Sequence, residues 1–559
     1  MNRRRSDGLV FVMLGALAFL VIGIAWRHVS AIEMGDFKVV YYSARTLLAN
    51  GDPYNEQDVL RVYRAEGRER STEPVLDRQV KTRFFYPPTA FLFTLPFAVL
   101  GFSAGAALWT IFLAGGLILA AIASWDLAAD AAPLLAGILA GLVLLNSFWL
   151  FMIGNAAAIA VTCCVLAVWC FWKKRFEPAG VLLLAISLAL KPNDSGLVWL
   201  FLVLSSAPLR KRAFQSLAVL AILSFPILIW VTHIASHWYP ELKTNMASFS
   251  GIGNIVDPAA TGMAGKNMDC LVQLQAAISI FIPRPETYNL VTWLVCTPLL
   301  IWWLLLSLRT RPDRTSDRSS DRSTAWLVLA AAAPLSMLPT YHFQHDAKLL
   351  LLAIPACAIL WARRGLFGWA ALLITSAAII VNGDIFTGIR ILLTKSLLVP
   401  HDGFGSHLLT MILTRPGPLV LLATAIFYLW AARRLVRLDK NAAEPEPGLR
   451  EKSAATSADA KARVLKGQGL SRTAKPADPT GTVLKWRGFS RAATPAKPMR
   501  ALQAAKKLNP RRLCNNGTAS AGPYPLQNEG RALAPAAFTA PPEPSIRTFS
   551  ASCLAPEGT

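Results

Sequence analysis

Apolar residues in this chain gather in runs of near-bilayer length separated by short polar breaks. The runs fall near 8–26, 87–101, 104–125, 132–150, 156–172, 177–190, 195–208, 213–232, 289–308, 325–339, 348–362, 365–382 and 417–432. A helix needs about 20 apolar residues to cross the hydrocarbon layer. Backbone at that depth must satisfy its own hydrogen bonds, so the pattern predicts helices. The expected fold class is an all-α, polytopic integral membrane protein.

Three longer polar stretches interrupt the pattern: 27–86, 233–288 and 383–416. In the first, Phe37, Val40, Tyr41, Ala44, Leu47 and Leu48 recur at steps of three and four, with Lys38, Ser43, Arg45 and Asn50 between them. That period predicts a helix lying in the interface plane, with Asp36 in its first turn. A carboxylate there also suits the helix dipole, so a plain helix-start role is the bland alternative. Gly251, Gly253, Gly262 and Gly265 suggest a lid in the second stretch. From 441 to 559 Ala, Pro, Lys, Arg and Ser dominate without apolar period, which predicts a disordered tail behind a membrane domain of residues 1–440.

Composition and charge agree with this class. Of 559 residues 54% are hydrophobic and 16% charged, and the net charge is +23. The excess is not a nucleic-acid surface. The tail holds 18 Lys and Arg against 8 Asp and Glu, and much of the remainder sits in clusters beside apolar runs: Arg3 to Arg5, Lys173 to Arg175, Arg210 to Arg212, Arg309 to Arg322, Arg363 with Arg364, and Arg433 to Arg437. That is positive-inside patterning. It predicts a multi-pass protein of the inner (plasma) membrane with the N-terminus and the tail in the cytoplasm, hence an even number of crossings. Thirteen runs violate that parity. Either the Pro-rich 86–101 run fails to span alone or the 132–172 block hides an extra crossing, so twelve is expected, with fourteen allowed. The large polar loops, Gly154 with Asn155, Lys191 with Pro192, and Tyr341 to Asp346 then all face the extracytoplasmic side. The first run is long and lacks a small-residue cleavage site, so it reads as an uncleaved helix. The eight cysteines show neither zinc spacing nor a disulfide framework.

No Walker loop, Ser-centred elbow or metalloprotease helix is present. Any energy for chemistry would therefore have to arrive in a lipid-linked donor or be absent. Lys191 and Arg45 are candidates to hold a phosphate, with snorkelling or headgroup contact as alternatives. His342 and His345, flanking Gln344 beside Asp346, could contact phosphate or acceptor, bind a divalent cation with Asp346, or serve structure. Glu33 could share the face of Asp36 or be a surface acid.

Several elements in order resemble glycosyltransferase family 87, also called DUF2029, a family of polyprenol-phosphate-mannose-dependent mannosyltransferases with the GT-C membrane fold. They are Gly35-Asp36-Phe37, Tyr41-Tyr42, Leu47-Leu48, Gly51-Asp52-Pro53-Tyr54, Tyr86-Pro87-Pro88, Gly154-Asn155 and Leu190-Lys191-Pro192. The resemblance spans roughly residues 8–435. The family usually has Gly-Gln where this chain has Gly154-Asn155, which keeps the amide. The resemblance implies inverting transfer of a hexose, typically mannose, from a polyprenyl phosphate to a lipid or glycan acceptor at the outer membrane surface. Asp36, the counterpart of the family's first-loop acid, would be the general base. Glu33, Arg45, Tyr86, Asn155, Lys191, His342, His345 and Asp346 are the expected substrate-binding residues. No cofactor is certain, and a divalent cation stays open. Rival expectations are a lipid-linked glycan transporter or flippase, disfavoured by spans nearly free of ionisable residues, and a polysaccharide polymerase or ligase, disfavoured because Arg284 stands alone in the 233–288 loop.

Overall fold

The computed structural model describes residues 3–29, 34–67, 78, 81–250, 254, 256–259, 270–310, 319–397 and 403–443. Glu33, the glycines of the expected lid and nearly all of the basic tail lie outside them. Among the described residues every extended element is a helix, and strand-like pairing is limited to the bridge between Leu271 and Phe343.

Six helices are long and apolar enough to cross a membrane: Arg4–Val29, Phe102–Ala128, Ala156–Lys173, Ala207–Ile234, Pro285–Arg309 and Pro416–Arg437. A seventh arises if Leu366–Val381 and Asp384–Arg390, bent by 63°, form one broken span. Helix length thus does not supply the expected twelve to fourteen crossings. The shorter apolar helices, Pro88–Ala98, Pro133–Leu145, Glu177–Leu190, Pro192–Leu204 and Phe404–Thr414, hold 10–17 residues. At 1.5 Å per residue each falls short of the ~30 Å hydrocarbon layer. Local backbone chemistry sets these limits. Lys191 leaves the helical region (φ −151°, ψ 84°) ahead of Pro192, and Gly154 takes φ 66° in the middle of an apolar stretch.

The expected helix forms at Gly35–Leu48, but part of its expected polar face is covered, while Arg45 and Asn50 keep solvent contact. Lys38 and Ser43 are buried along with Phe37, Tyr41 and Tyr42. The cause is an aromatic collar: Phe102 packs on Phe37, Tyr41 and Tyr42, Tyr63 packs on Tyr42, and the Lys38 ammonium lies 5.7 Å from the Phe102 ring. The Gly-Asp-Pro-Tyr turn that follows is structural. Asp52 Oδ1 accepts from the Tyr54 amide, the Tyr54 hydroxyl donates to the Tyr86 carbonyl at 3.0 Å, and the Asn245 side chain donates to the carbonyls of Tyr54 and Phe84. These bonds fix where the chain re-enters the helical bundle at Tyr86-Pro87-Pro88.

The ends of the bundle differ in charge. Asp126 gathers Arg5 at 2.8 Å, Lys173 at 3.1 Å and the Trp169 indole at 3.0 Å. Lys173 closes the helix whose opposite end is capped by Asn155, so this basic end and the Gly154-Asn155 turn lie at opposite ends of one 18-residue helix.

The first helix, Arg3–Val29, is held against Pro133–Leu145 by glycines. A Cβ at Gly15 would meet the Gly141 backbone at 2.5 Å, and one at Gly141 would meet the Phe11 carbonyl at 2.5 Å. Such small-residue contacts permit close helix packing in lipid. Gly141→Val should therefore destabilise the detergent-solubilised protein by roughly 1–3 kcal/mol or more, read as a lower thermal midpoint. Gly115→Val, where no atom lies within 4 Å of the added carbon, should change it little. Equal effects would refute the packing account.

Candidate functional site

Two polar clusters meet on the side of the bundle where the helix Gly35–Leu48 begins. The first is built by the Gly154-Asn155 turn. Gly154 closes the short helix Leu150–Ile153 in the left-handed region, and any side chain there would strike Met34 and Phe37 at 2.8–3.0 Å. The turn also receives the Met34 amide on the Met152 carbonyl at 2.8 Å and the Trp109 indole on the Gly154 carbonyl at 2.9 Å. Asn155 then caps the helix Ala156–Lys173. Its Oδ1 accepts from the Ala157 amide at 2.7 Å while its Nδ2 donates to Asp36 Oδ2 at 2.5 Å.

Asp36 occupies the first turn of its helix, and its carboxylate accepts from Asn155. Burial pushes its carboxyl up to about 6, against the Asn155 bond and Lys191, which favour the charge, and with Asp346, which opposes it. The residue keeps some solvent contact, so the penalty on its charged form relative to a solvated aspartate is on the order of 1–3 kcal/mol.

The second cluster joins two segments far apart in sequence. Lys191, between Glu177–Leu190 and Pro192–Leu204, places its ammonium 2.6 Å from Asp346 Oδ2 and 3.7 Å from Asp194 Oδ2. His342 Nε2 lies 2.9 Å from Asp194 Oδ1, and His345 Nε2 3.8 Å from Asp346 Oδ1. A neighbouring segment clamps this loop. The amides of Val272 and Leu274 donate to the carbonyls of His342 and Leu338, Gln273 Oε1 accepts from the His342 amide at 2.8 Å, and the Gln275 side chain donates to the Pro339 carbonyl. Burial pushes the Asp346 carboxyl up, but Lys191 foremost outweighs it and leaves it at about 2. Burial also lowers His345 to about 4 despite Asp346 beside it. The Tyr86 hydroxyl is kept protonated first by burial and then by Asp36, Asp346 and Asp194, the field of both clusters at once.

Of the expected residues, the structure gathers Asp36, Tyr86, Asn155, Lys191, His342, His345 and Asp346. It sets Arg45 apart: nine residues along the helix from Asp36, about 13 Å by axial rise, its guanidinium pairs with Glu66 at 3.2 Å and donates to the Ala98 carbonyl. Asp194 and Gln273 were missed. Asp194 had a readable signal, an acid three residues after Lys191 at the head of an apolar run; Gln273 had none. A further layer backs the loop. Lys348 and Asp384 form a buried pair at 3.7 Å, and Asp384 also accepts from the Trp149 amide at 2.7 Å. The cavity beside Lys348, lined by Val143, Asn146, Ile379 and Asn382, offers only about 10 Å³ of water-sized space, too little for a sugar.

The model of glycosyltransferase family 87 matches residues 84–268. That segment contains Tyr86, Asn155, Lys191 and Asp194, while Asp36 and the His342–Asp346 loop lie outside it. No curated protein and no solved structure matches the chain.

Asn155→Asp keeps an acceptor for the Ala157 amide but faces Asp36 with a second acid. Two carboxylates so placed share one proton, so the folded-state affinity for it rises. Stability relative to wild type should hold at low pH and fall as pH climbs from about 5 to 8, because the folded form then loses a proton it binds more tightly than the unfolded chain does. Thermal midpoints across that range test this, and a pH-independent difference would contradict it.

Proposed function

On the premise that residues 84–268 carry the glycosyltransferase family 87 match, we propose that the chain transfers a hexose, mannose by resemblance, from a polyprenyl phosphate to a lipid or glycan hydroxyl, with inversion. Asp36 is the general base. The acceptor hydroxyl gives its proton to the Asp36 carboxylate as its oxygen bonds to the anomeric carbon. The bond from that carbon to the phosphate oxygen breaks on the opposite face, and the electron pair leaves on the lipid phosphate. A lipid phosphate is a competent leaving group, so one base suffices and no nucleotide-binding loop is needed.

The observation that carries this reading is the Asp36 carboxylate, raised to about 6 and gripped by Asn155. Near neutral pH it is ionised yet more basic than a solvated acid, as a catalytic base should be. In this reading Lys191 and His345 contact the donor phosphate, the buried His342 holds Asp194 behind them, and Tyr86 and Asn155 face the acceptor. The site's side is extracytoplasmic in this reading, because Arg5 and Lys173 mark the opposite end and basic ends stay in the cytoplasm.

Membranes carrying the protein should transfer label from polyprenyl-phosphate-hexose and not from a nucleotide sugar. Asp36→Asn should cut the rate by about 10²–10⁴-fold while raising the thermal midpoint, since an unfavourable buried charge is removed. In wild type the rate should rise with pH through about 6 as Asp36 loses its proton, with Lys191, Asp346, Tyr86 and Tyr341 among the charged and titratable groups that interact with it. Transfer from the nucleotide sugar alone would overturn the mechanism.

A further inference from the structure

Asp194, His342 and Asp346 are each completely buried, and one ligating atom from each lies within 4.8 Å of the others. Asp194 Oδ1 and Oδ2, His342 Nε2 and Asp346 Oδ1 find no hydrogen-bond partner among the described residues. Lys191 reaches Asp346 Oδ2 at 2.6 Å and approaches Asp194 Oδ2 only to 3.7 Å. The tautomer of His342 follows from its other nitrogen. Nδ1 stands 2.9 Å from the Thr340 carbonyl, which can only accept, so Nδ1 carries the proton. Nε2 then presents a lone pair toward Asp194 Oδ1 at 2.9 Å. Two acceptors in contact require a positive species, either a proton on Nε2 shared with Asp194 or a cation held by both.

We propose that Asp194, His342 and Asp346 form a divalent-cation site of two carboxylates and one imidazole. A histidine whose second nitrogen donates to a backbone carbonyl is the usual arrangement for a metal ligand. Carboxylate with imidazole suits Mn²⁺, Mg²⁺ or Zn²⁺. An ion bound at about 2.1 Å sets adjacent ligands about 3.0–3.4 Å apart and opposed ones about 4.2 Å; Asp194 Oδ1 and His342 Nε2 already stand 2.9 Å apart, and the widest separation, within 4.8 Å, needs to close by less than about 2 Å. Charge gives the ion a use, and this part rests on the transfer reaction proposed above. Two carboxylates against one ammonium repel a lipid phosphate, whereas a dication reverses the sign beside Lys191.

The test uses the full chain in detergent, stripped with chelator and titrated with Mn²⁺. The paramagnetic signal of the free aquated ion should be lost with a stoichiometry of one per chain. The bound ion should show pulsed-resonance coupling to one imidazole nitrogen. His342→Gln should abolish that coupling, and Asp194→Asn, which preserves shape, should weaken binding by about tenfold or more. Lack of stoichiometric binding at millimolar Mn²⁺, or a bound ion with no nitrogen coupling, would overturn the site. Binding with the expected coupling but no transfer from the lipid-phosphate donor would leave the site standing and sink the reaction instead.

Discussion

The Asn155 side chain uses both ends of its amide, and the geometry of the site follows from that division. Its oxygen starts the helix Ala156–Lys173 and its nitrogen grips Asp36. Neither task tolerates slack. The carboxylate is thereby referenced to a long helix in the bundle and not to the loop that precedes it. Gly154 makes this possible, because only a residue without a side chain can hold φ 66° with Met34 and Phe37 pressed against it. The helix Gly35–Leu48, sealed by its aromatic collar, completes the fixture. What results is an acid surrounded by protein with one amide donor and a distant ammonium to favour its charge, which is how burial turns a weak base into a useful one.

The second cluster is set by a different device. Lys191 sits at a backbone break ahead of a proline, and the His342–Asp346 loop is held to residues 270–275 by main-chain bonds. Two segments about 150 residues apart in sequence meet over buried charges whose partners are incomplete. Incomplete pairing of buried acids is expensive, and such expense is usually found where a ligand supplies the missing partner. Asp36 in one cluster and Lys191 in the other carry the two chemistries that the proposed transfer divides between them, proton acceptance and phosphate departure.

Much of this was legible in the sequence because the informative residues break an apolar pattern. Asp36, Gly154-Asn155, Lys191-Pro192 and His342 to Asp346 stand out against hydrophobic flanks, and the structure brings them together. Asp194 was overlooked beside Lys191, and Gln273 acts through a tertiary contact no local pattern encodes. Arg45 misled because an exposed-looking cation on an amphipathic helix says nothing of Glu66 across a turn. Lys38 and Ser43 misled likewise, since periodicity shows which face is more apolar but not whether a second layer covers the other. The expected twelve crossings are not established by helix length either: among the described residues several apolar runs form helices of only 10–17 residues, bounded by breaks such as Gly154, Lys191-Pro192 and Asn382-Gly383.

The central claim is that Asp36 holds its proton unusually tightly because the fold strips it of water. Infrared difference spectroscopy of the purified protein reads this directly, through the carbonyl band of a protonated carboxylic acid that Asp36→Asn deletes. The account predicts that this band disappears with a midpoint near pH 6. A midpoint near 4, where a solvated aspartate titrates, would contradict it.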